Sequence, residues 1–224
     1  MANDQPRNPL RQFDIVMHTD LSRRTDEEAD ELQAWLDDHG VRAIDILGSV
    51  GSGKTSLVIE MVKRLRERMR IAVIAGDVTT RVDAERIEAH GVPVLQIQTG
   101  GMCHLDTELV REALEKMDLD DLDLVLIENV GNLICPGGFP LGAHQRVVVI
   151  SVTEGPYAPR KHPVIFRQCE LAVINKIDLA EAMQVSVEQL MADAREVNPQ
   201  MAVVATNLRS GEGVDEVLAA LGLS

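Results

Sequence analysis

The sequence predicts an α/β fold, in which a mostly parallel β-sheet is covered by helices on both faces. From residue 43 onward, short apolar segments that suit buried strands alternate with amphipathic segments that suit helices. Strands that are apolar along their whole length are typical of parallel sheets. A glycine-rich loop between the first strand and the helix that follows it indicates the same class. Functional residues are then expected at the carboxyl ends of the strands.

The predicted elements follow one another along the whole chain. Residues 1–20 are polar and suit a loose arm, and a helix is predicted from Thr25, which forms a capping box with Glu28, to Gly40. Strands are predicted at Ala43–Leu47, Ile71–Ala75, Val94–Gln98, Leu122–Ile127, Val147–Val152, Leu171–Ile174 and Ala202–Ala205. Helices are predicted over residues 54–69, 80–90, 106–117, 186–197 and 213–221. We therefore divide the chain into an amino-terminal arm and helix, 1–40, and one domain, 41–224.

Composition argues against several classes of function. The formal net charge is -14, whereas non-specific nucleic-acid binding needs a basic surface. No stretch approaches the ~18 apolar residues of a membrane span, and the first 30 residues lack the apolar region of a signal peptide. Three cysteines, an odd number, do not form a disulfide framework. We expect free thiols and a reducing cytoplasm, with no nucleic-acid or membrane partner.

The segment from Gly48 to Thr55 matches the phosphate-loop pattern G-x-x-x-x-G-K-[ST] in the strand–loop–helix context that the motif requires. Its backbone N–H groups can surround phosphate oxygens, and the helix N-terminus favours negative charge. Lys54 can reach the β- and γ-phosphates, and the Thr55 hydroxyl can hold Mg²⁺. A plain glycine-rich turn is the weaker alternative. The residues expected at the phosphates are Gly48, Gly51, Ser52, Gly53, Lys54, Thr55 and Ser56.

Two carboxylates at predicted strand ends are candidates for the same Mg²⁺ ion. Asp77 follows the second strand, and Glu128 follows the strand Leu122–Ile127. The segment Glu128-Asn-Val-Gly131 resembles the D-x-x-G switch of GTPases, with Glu in place of Asp. The alternative is that each carboxylate caps a loop or helix, a task that the nearby Thr79 and Thr80 can share with Asp77. We expect Lys54, Asp77 and Glu128 to support phosphoryl transfer.

The segment Asn175-Lys176-Ile177-Asp178 resembles the guanine-reading motif N-K-x-D. An ionised Asp178 can accept hydrogen bonds from N1–H and the 2-amino group of guanine. Adenine lacks both donors, so the buried polar mismatch would disfavour ATP. The Lys176 stem can lie over the base. Thr206 and Asn207 follow the last strand, where GTPases place a loop that closes over the base, although a plain surface loop fits as well.

Cys103, His104 and Cys135 are candidate ligands for a soft transition metal. They follow the third and fourth predicted strands, so they lie on the ligand edge of the sheet. Thiolate and imidazole suit Zn²⁺, Ni²⁺ or Cu⁺ rather than Mg²⁺. A closed structural zinc site normally has four ligands, so water or a second subunit would complete the set. The alternative is that free cysteines pack as small apolar residues, which is our interpretation of Cys169.

These motifs together resemble the HypB family, the GTPases that assist nickel insertion into [NiFe]-hydrogenase, over roughly residues 40–222. The segments that carry the resemblance are Gly48–Thr55, Gly76-Asp77, Asp83–Ile87, Gly91–Pro93, Thr99–Asp106, Ile127–Pro136 and Asn175–Asp178. The Cys-Pro-His tripeptide of the related urease-accessory GTPases is absent.

The resemblance implies a P-loop NTPase fold of the SIMIBI type, GTP and GDP as ligands with Mg²⁺, and Ni²⁺ or Zn²⁺ at a site formed by Cys103, His104 and Cys135. It implies that this site lies at a homodimer interface, and that Lys161 contacts nucleotide across the dimer. The implied partners are a nickel metallochaperone and the precursor of the [NiFe]-hydrogenase large subunit.

The sequence thus favours a slow GTPase that delivers nickel, in which nucleotide state controls dimerisation and the metal site. Three alternatives stay open at this point. A small-molecule kinase would share the phosphate loop but not the N-K-x-D segment. A regulatory module stapled by zinc would have the same ligands, and a urease- or cobalamin-linked metallochaperone would share most motifs.

Overall fold

The computed structural model describes residues 26–77 and 81–224. In this part of the chain seven strands form one sheet in which every pairing is parallel. The strands are β1 Arg42–Gly48, β2 Ile71–Asp77, β3 Val94–Gln98, β4 Leu124–Glu128, β5 Gln145–Ser151, β6 Leu171–Asn175 and β7 Ala202–Thr206. Their order is β3-β2-β4-β1-β5-β6-β7, which confirms the predicted fold class.

Helices connect the strands and cover both faces of the sheet. They are α1 (26–38), α2 Lys54–Leu65, α3 Val82–Glu88, α4 Thr107–Leu114, α5 Ala158–Lys161, α6 Pro163–Arg167, α7 Ala180–Met183, α8 Val187–Val197 and α9 Val214–Ala220. Alternate residues of a strand point to opposite faces. Accordingly, Ile44 and Ile46 pack in a cluster with α2 and α9, whereas Ala43 and Leu47 pack in clusters on the other side.

Two helices end earlier than the sequence predicts. The helix predicted over residues 54–69 is α2, which ends at Leu65. At this end the amides of Arg68 and Met69 both bond to the Leu65 carbonyl. Arg66 donates to the carbonyl of His90 at 2.7 Å, so its side chain ties this turn to the loop before β3. The helix expected over 106–117 is α4, which Asp106 caps by accepting from the Leu109 amide at 2.8 Å.

Three short helices, α5, α6 and α7, were not predicted. Pro159 and Pro163 lie in the first turns of α5 and α6, where a missing N–H is tolerated. Such short segments carry no readable helical period. The strand expected at Leu122–Ile127 is β4, which begins later, at Leu124. It begins later because the Leu122 amide closes a 3₁₀ turn on the Leu119 carbonyl. At the carboxyl ends of the strands, Asp77 is the last residue of β2 and Glu128 is the last residue of β4.

Helix α1 packs onto the sheet. Leu32 and Leu36 are fully buried in the cluster that includes Val110 and Leu114 of α4. The predicted capping residue Thr25 and the arm over residues 1–20 lie outside the described residues. The division at residue 40 stays a prediction. Among the residues described, no helix has the length and apolar character needed to cross a bilayer.

Replacing Leu36 with alanine should lower the free energy of unfolding by about 2–5 kcal/mol, because the truncated side chain leaves a cavity in the core. Glu31→Ala on the exposed side of the same helix is the matched control. Chemical denaturation of both variants measures the difference. Equal effects would show that α1 is not part of the cooperative core.

Candidate nucleotide and metal site

A cavity of about 710 Å³ opens at the carboxyl-end edge of the sheet. Loops that follow β1, β2, β4, β6 and β7 form its walls. The residues predicted from the sequence that line it are Gly51, Gly53, Lys54, Thr55, Ser56, Asp77, Glu128, Asn175, Lys176, Asp178 and Asn207. The phosphate-loop and base-reading motifs, 120 residues apart in the chain, therefore meet around one cavity.

The phosphate loop leads directly into α2. Gly53 has a φ of 114°, and a Cβ at this position would collide with the Asn175 side chain, so only glycine fits here. Lys54 is 7% exposed and donates to the carbonyls of Gly48 and Ser49, each at 3.2 Å. Burial lowers the pKa of Lys54, while nearby carboxylates, Glu128 first, oppose that shift.

Thr55 and Glu128 lie together at one corner of the cavity. The Thr55 hydroxyl donates to Glu128 Oε1 at 2.7 Å, and the buried Oε2 atom has no hydrogen-bond partner. Burial raises the pKa of Glu128 to about 7, against the hydrogen bond from Thr55 and the charge of Lys54. Asp77, at the end of neighbouring β2, lines the same cavity. A hydroxyl and two carboxylates are the hard oxygen donors that suit Mg²⁺.

Helix α3 adds two residues that the sequence analysis left without a role. Asp83 and Arg86 line the cavity, and Arg86 Nη1 donates to Asp83 Oδ1 at 3.0 Å. Their i, i+3 spacing places both on one helix face, which is the signal that could have identified them. Thr79 and Thr80, considered as alternatives to Asp77, lie outside the described residues.

Asn175 braces the two sides of the cavity. Its Nδ2 donates to the Ser52 carbonyl at 2.8 Å, and its Oδ1 accepts from the Leu208 amide at 3.1 Å and the Thr206 hydroxyl at 3.4 Å. Lys176, with a φ of 63°, donates to the Gly51 carbonyl at 2.7 Å. The Asn-Lys pair thus fixes the phosphate loop against the loop after β7 and leaves Asp178 exposed at the rim.

Four residues that were predicted to bind nucleotide do not line the cavity. Gly48 and Ser52 lie behind the loop surface, and Thr206 is fully buried against Asn175. Lys161 is exposed at the end of α5. Their contacts with nucleotide stay predictions. Four lining residues were not predicted: Val50 occupies a variable position inside the phosphate loop, and Leu179, Leu208 and Arg209 follow the predicted segments without matching a pattern.

The two candidate metal-binding cysteines lie together. Cys103 is exposed, Cys135 is partly buried, and Cys169 is buried. The contact with the Cys135 side chain is the largest cause that raises the pKa of the Cys103 thiol, and desolvation of the thiol is the second. Cys103 Sγ is 3.7 Å from His104 Nδ1. The His104 ring stacks on Phe139, with centroids 4.1 Å apart.

In the part of the chain that the structure describes, the cysteine pair and His104 do not form a complete metal-binding group. Within 26–77 and 81–224 no group of three or more His, Cys, Asp or Glu side chains is arranged to hold a metal ion. The Asn132 side chain joins the two cysteine loops, because its Nδ2 donates to the Cys103 carbonyl at 3.4 Å and its Oδ1 accepts from the Ile134 amide at 2.8 Å. The structure therefore provides a positioned cysteine pair with an adjacent imidazole.

The parallel sheet, the phosphate loop and the strand-end carboxylates define a P-loop nucleotide-binding protein of the SIMIBI class. Residues 42–205 match the family model described as CobW/HypB/UreG, nucleotide-binding domain. The probable hydrogenase maturation factor HypB of Methanocaldococcus jannaschii is 48% identical over 199 residues, which are 89% of this chain and 90% of that protein. The chain therefore belongs to the HypB family.

Two solved structures agree with this assignment. The crystal structure of the hydrogenase maturation factor HypB from Archaeoglobus fulgidus superimposes with a TM-score of 0.83 and 41% identity, over 89% of this chain and 98% of that one. HypB from Helicobacter pylori in complex with nickel also has a TM-score of 0.83, with 29% identity over 88% and 93% of the two chains.

Replacing Asn175 with alanine should weaken GDP binding by about tenfold or more, which is about 1.4 kcal/mol, because the Ser52 carbonyl and the Leu208 amide lose their common partner. Asn198→Ala is the matched control, since Asn198 donates in the same way to the carbonyls of Phe166 and Cys169, away from the cavity. Titration with a fluorescent GDP measures both. Equal affinities would show that the brace is not needed for binding.

Proposed function

We propose that this chain is a GTP-hydrolysing metallochaperone that delivers nickel for [NiFe]-hydrogenase maturation. GTP-dependent dimerisation is coupled to a metal site formed by Cys103, His104 and Cys135. The observation that carries the proposal is the arrangement of one loop, which begins at Glu128 in the nucleotide cavity and reaches Cys135 seven residues later. The HypB relatives support the same role.

The base is selected at the exposed rim of the cavity. Asp178 accepts hydrogen bonds from the guanine N1–H and 2-amino groups, while the Lys176 stem covers the base. Lys176 is already held in place through the Gly51 carbonyl. Asn207 lines the cavity beside them. A carboxylate in this position pairs fully with guanine and leaves adenine unsatisfied, so GTP is bound in preference to ATP.

Hydrolysis rests on positioning and on neutralisation of charge. Lys54 turns from the loop carbonyls towards the β- and γ-phosphates, where its positive charge offsets the charge that develops in the transition state. Thr55, Asp77 and Glu128 would hold Mg²⁺, which when bound neutralises phosphate oxygens. The rate is slow, because no glutamine lines the cavity among the described residues to orient the attacking water.

Nickel is the cargo, held by the thiolates of Cys103 and Cys135 with His104 beside them. Thiolate and imidazole suit Ni²⁺ and Zn²⁺, and a HypB relative has been crystallised with nickel. Since the described residues supply too few ligands for a complete site, a second copy completes the coordination, so the functional unit is a homodimer. Lys161 reaches the nucleotide of the partner copy in that dimer.

The loop after β4 connects GTP to the metal. A γ-phosphate near Glu128 shifts the Val130-Gly131 segment and with it Cys135, as in other order–disorder switches of GTPases. Linkage requires that metal binding in turn favour one nucleotide state. We place this cycle in the cytoplasm, with a nickel metallochaperone as donor and the hydrogenase large-subunit precursor as acceptor.

Counting Ni²⁺ and Zn²⁺ ions per chain, together with the dimer dissociation constant, tests this function in the GDP state and with a non-hydrolysable GTP analogue. Wild-type protein should bind nickel and dimerise more strongly with the GTP analogue. Cys135→Ala should abolish the bound metal, whereas Cys169→Ala, which alters a buried thiol away from the loop, should not. Identical metal content and dimer affinity in both nucleotide states would disprove the coupling. Zinc that holds the dimer together in both nucleotide states would instead support the alternative function of a regulatory module.

Replacing Asp178 with asparagine should weaken GTP binding by about 100-fold, because two charge-assisted hydrogen bonds to guanine are lost. The same variant should gain affinity for xanthosine triphosphate, whose 2-oxo group accepts from the new amide. Asp38→Asn, at an exposed position at the end of α1, is the control. Competition binding with GTP and xanthosine triphosphate measures this change of base preference. A variant that keeps its preference for GTP would remove Asp178 from the base site.

A further inference from the structure

A buried polar network lies beneath the nucleotide cavity and contains Asp45, Asn129 and Arg146. Asp45 is fully buried in the middle of strand β1, between the apolar residues Ile44 and Ile46. Asn129 is 1% exposed and follows β4, and Arg146 is 9% exposed on β5. The mechanism proposed above uses neither Asp45 nor Arg146.

Both carboxylate oxygens of Asp45 are engaged. Asn129 Nδ2 donates to Asp45 Oδ1 at 3.1 Å, and Arg146 Nε donates to Asp45 Oδ2 at 3.2 Å. The β1–β5 pairing sets Asp45 opposite Arg146, whereas Asn129 lies just beyond the end of β4, where Ile127 is the residue opposite Asp45. Asp45 is therefore the link between a residue that lines the cavity and a guanidinium group.

Each end of this network holds the backbone of one cysteine loop. Asn129 Oδ1 accepts from the Leu105 amide at 3.1 Å, two residues after Cys103. Arg146 Nη2 donates to the Pro136 carbonyl at 2.7 Å, directly after Cys135. A continuous chain of hydrogen bonds thus runs from the Cys103 loop through Asn129, Asp45 and Arg146 to the Cys135 loop.

Stability alone does not account for these groups. A buried ion pair loses its hydration, and an apolar pair of similar volume often stabilises a fold at least as well. What an apolar pair lacks is direction, since it cannot fix the Leu105 amide and the Pro136 carbonyl relative to each other. Arg146 suits this role because its planar fork can bond Asp45 and Pro136 at once.

We infer that Asp45 and Arg146 are positioning residues for metal capture, which hold the Cys103 and Cys135 thiols at a fixed spacing and tie that spacing to Asn129 in the nucleotide cavity. This inference rests on the proposed function, because it assigns the cysteine pair to a metal ion. Loss of the network should leave both cysteines present but separate their loops. It should also weaken the response of metal affinity to nucleotide.

The test uses the full chain with the double variant Asp45→Leu/Arg146→Met, which removes both charges together. Ni²⁺ affinity is measured by competition with a chromophoric chelator, in the GDP state and with a non-hydrolysable GTP analogue. We expect the double variant to bind Ni²⁺ about tenfold more weakly, as when supporting contacts of metal ligands are lost, and to lose the difference between nucleotide states. Unchanged affinity and unchanged nucleotide response would overturn the inference.

The matched control is Asp193→Asn, which breaks another ion pair of a buried carboxylate, with Arg160 at 2.8 Å. It should change thermal stability without changing Ni²⁺ affinity. If the double variant does not fold, Arg146→Lys takes its place. Lysine keeps a charge against Asp45 but lacks the fork that also reaches Pro136, so a smaller loss of affinity is expected, and no loss would overturn the inference.

A metal-free measurement separates this inference from the proposed function. Phenylarsine oxide captures two thiols that lie close together, and mass spectrometry of the adduct follows the rate. Wild type should be captured at Cys103 and Cys135, Cys135→Ala should not, and the double variant should react at least several-fold more slowly. If the double variant is captured more slowly but the wild-type protein binds no nickel, the result contradicts the proposed function and not the positioning role. Equal capture rates would contradict the positioning role.

Discussion

The parallel pairing of β1 with β4 is the contact on which the rest of the site depends. It sets Ile46 opposite Glu128, so the loops that leave the two strands begin side by side. The Thr55–Glu128 hydrogen bond then ties the start of α2 to the end of β4, and an antiparallel bridge between Gly48 and Asn132 extends the contact beyond the end of β4. The cysteine loop after β4 therefore starts from a position that the phosphate-loop strand fixes.

Much of the fold was predictable, because apolar strands and amphipathic helices leave a periodic pattern. Strand β3 has the predicted bounds, and the phosphate loop and the N-K-x-D segment line one cavity. The end of α2 was not predictable, because residues 66–69 still suit a helix and only tertiary contacts such as Arg66 with His90 stop it. The contacts of buried Asp45 were not predictable for a related reason, since its partners Asn129 and Arg146 are far from it in the sequence.

Charge is distributed unevenly between the surface and the cavity. The chain has a formal net charge of -14, yet Lys54 is buried in the wall of the cavity and Lys176 lines the same cavity. An acidic surface repels polyanions at long range, whereas a small nucleotide that enters the cavity meets these local cations at short distance. The same protein can therefore bind a triphosphate and still disfavour nucleic acid.

The Asn175 brace also has a thermodynamic consequence. Its donor and acceptor are already used within the protein, so the loops on both sides of the cavity are ordered before a ligand arrives. The conformational entropy of these loops is lost during folding rather than during association. The rim of the cavity around Asn175 is thus pre-organised before a nucleotide binds. A nucleotide that binds here therefore does not have to order the loops that Asn175 holds.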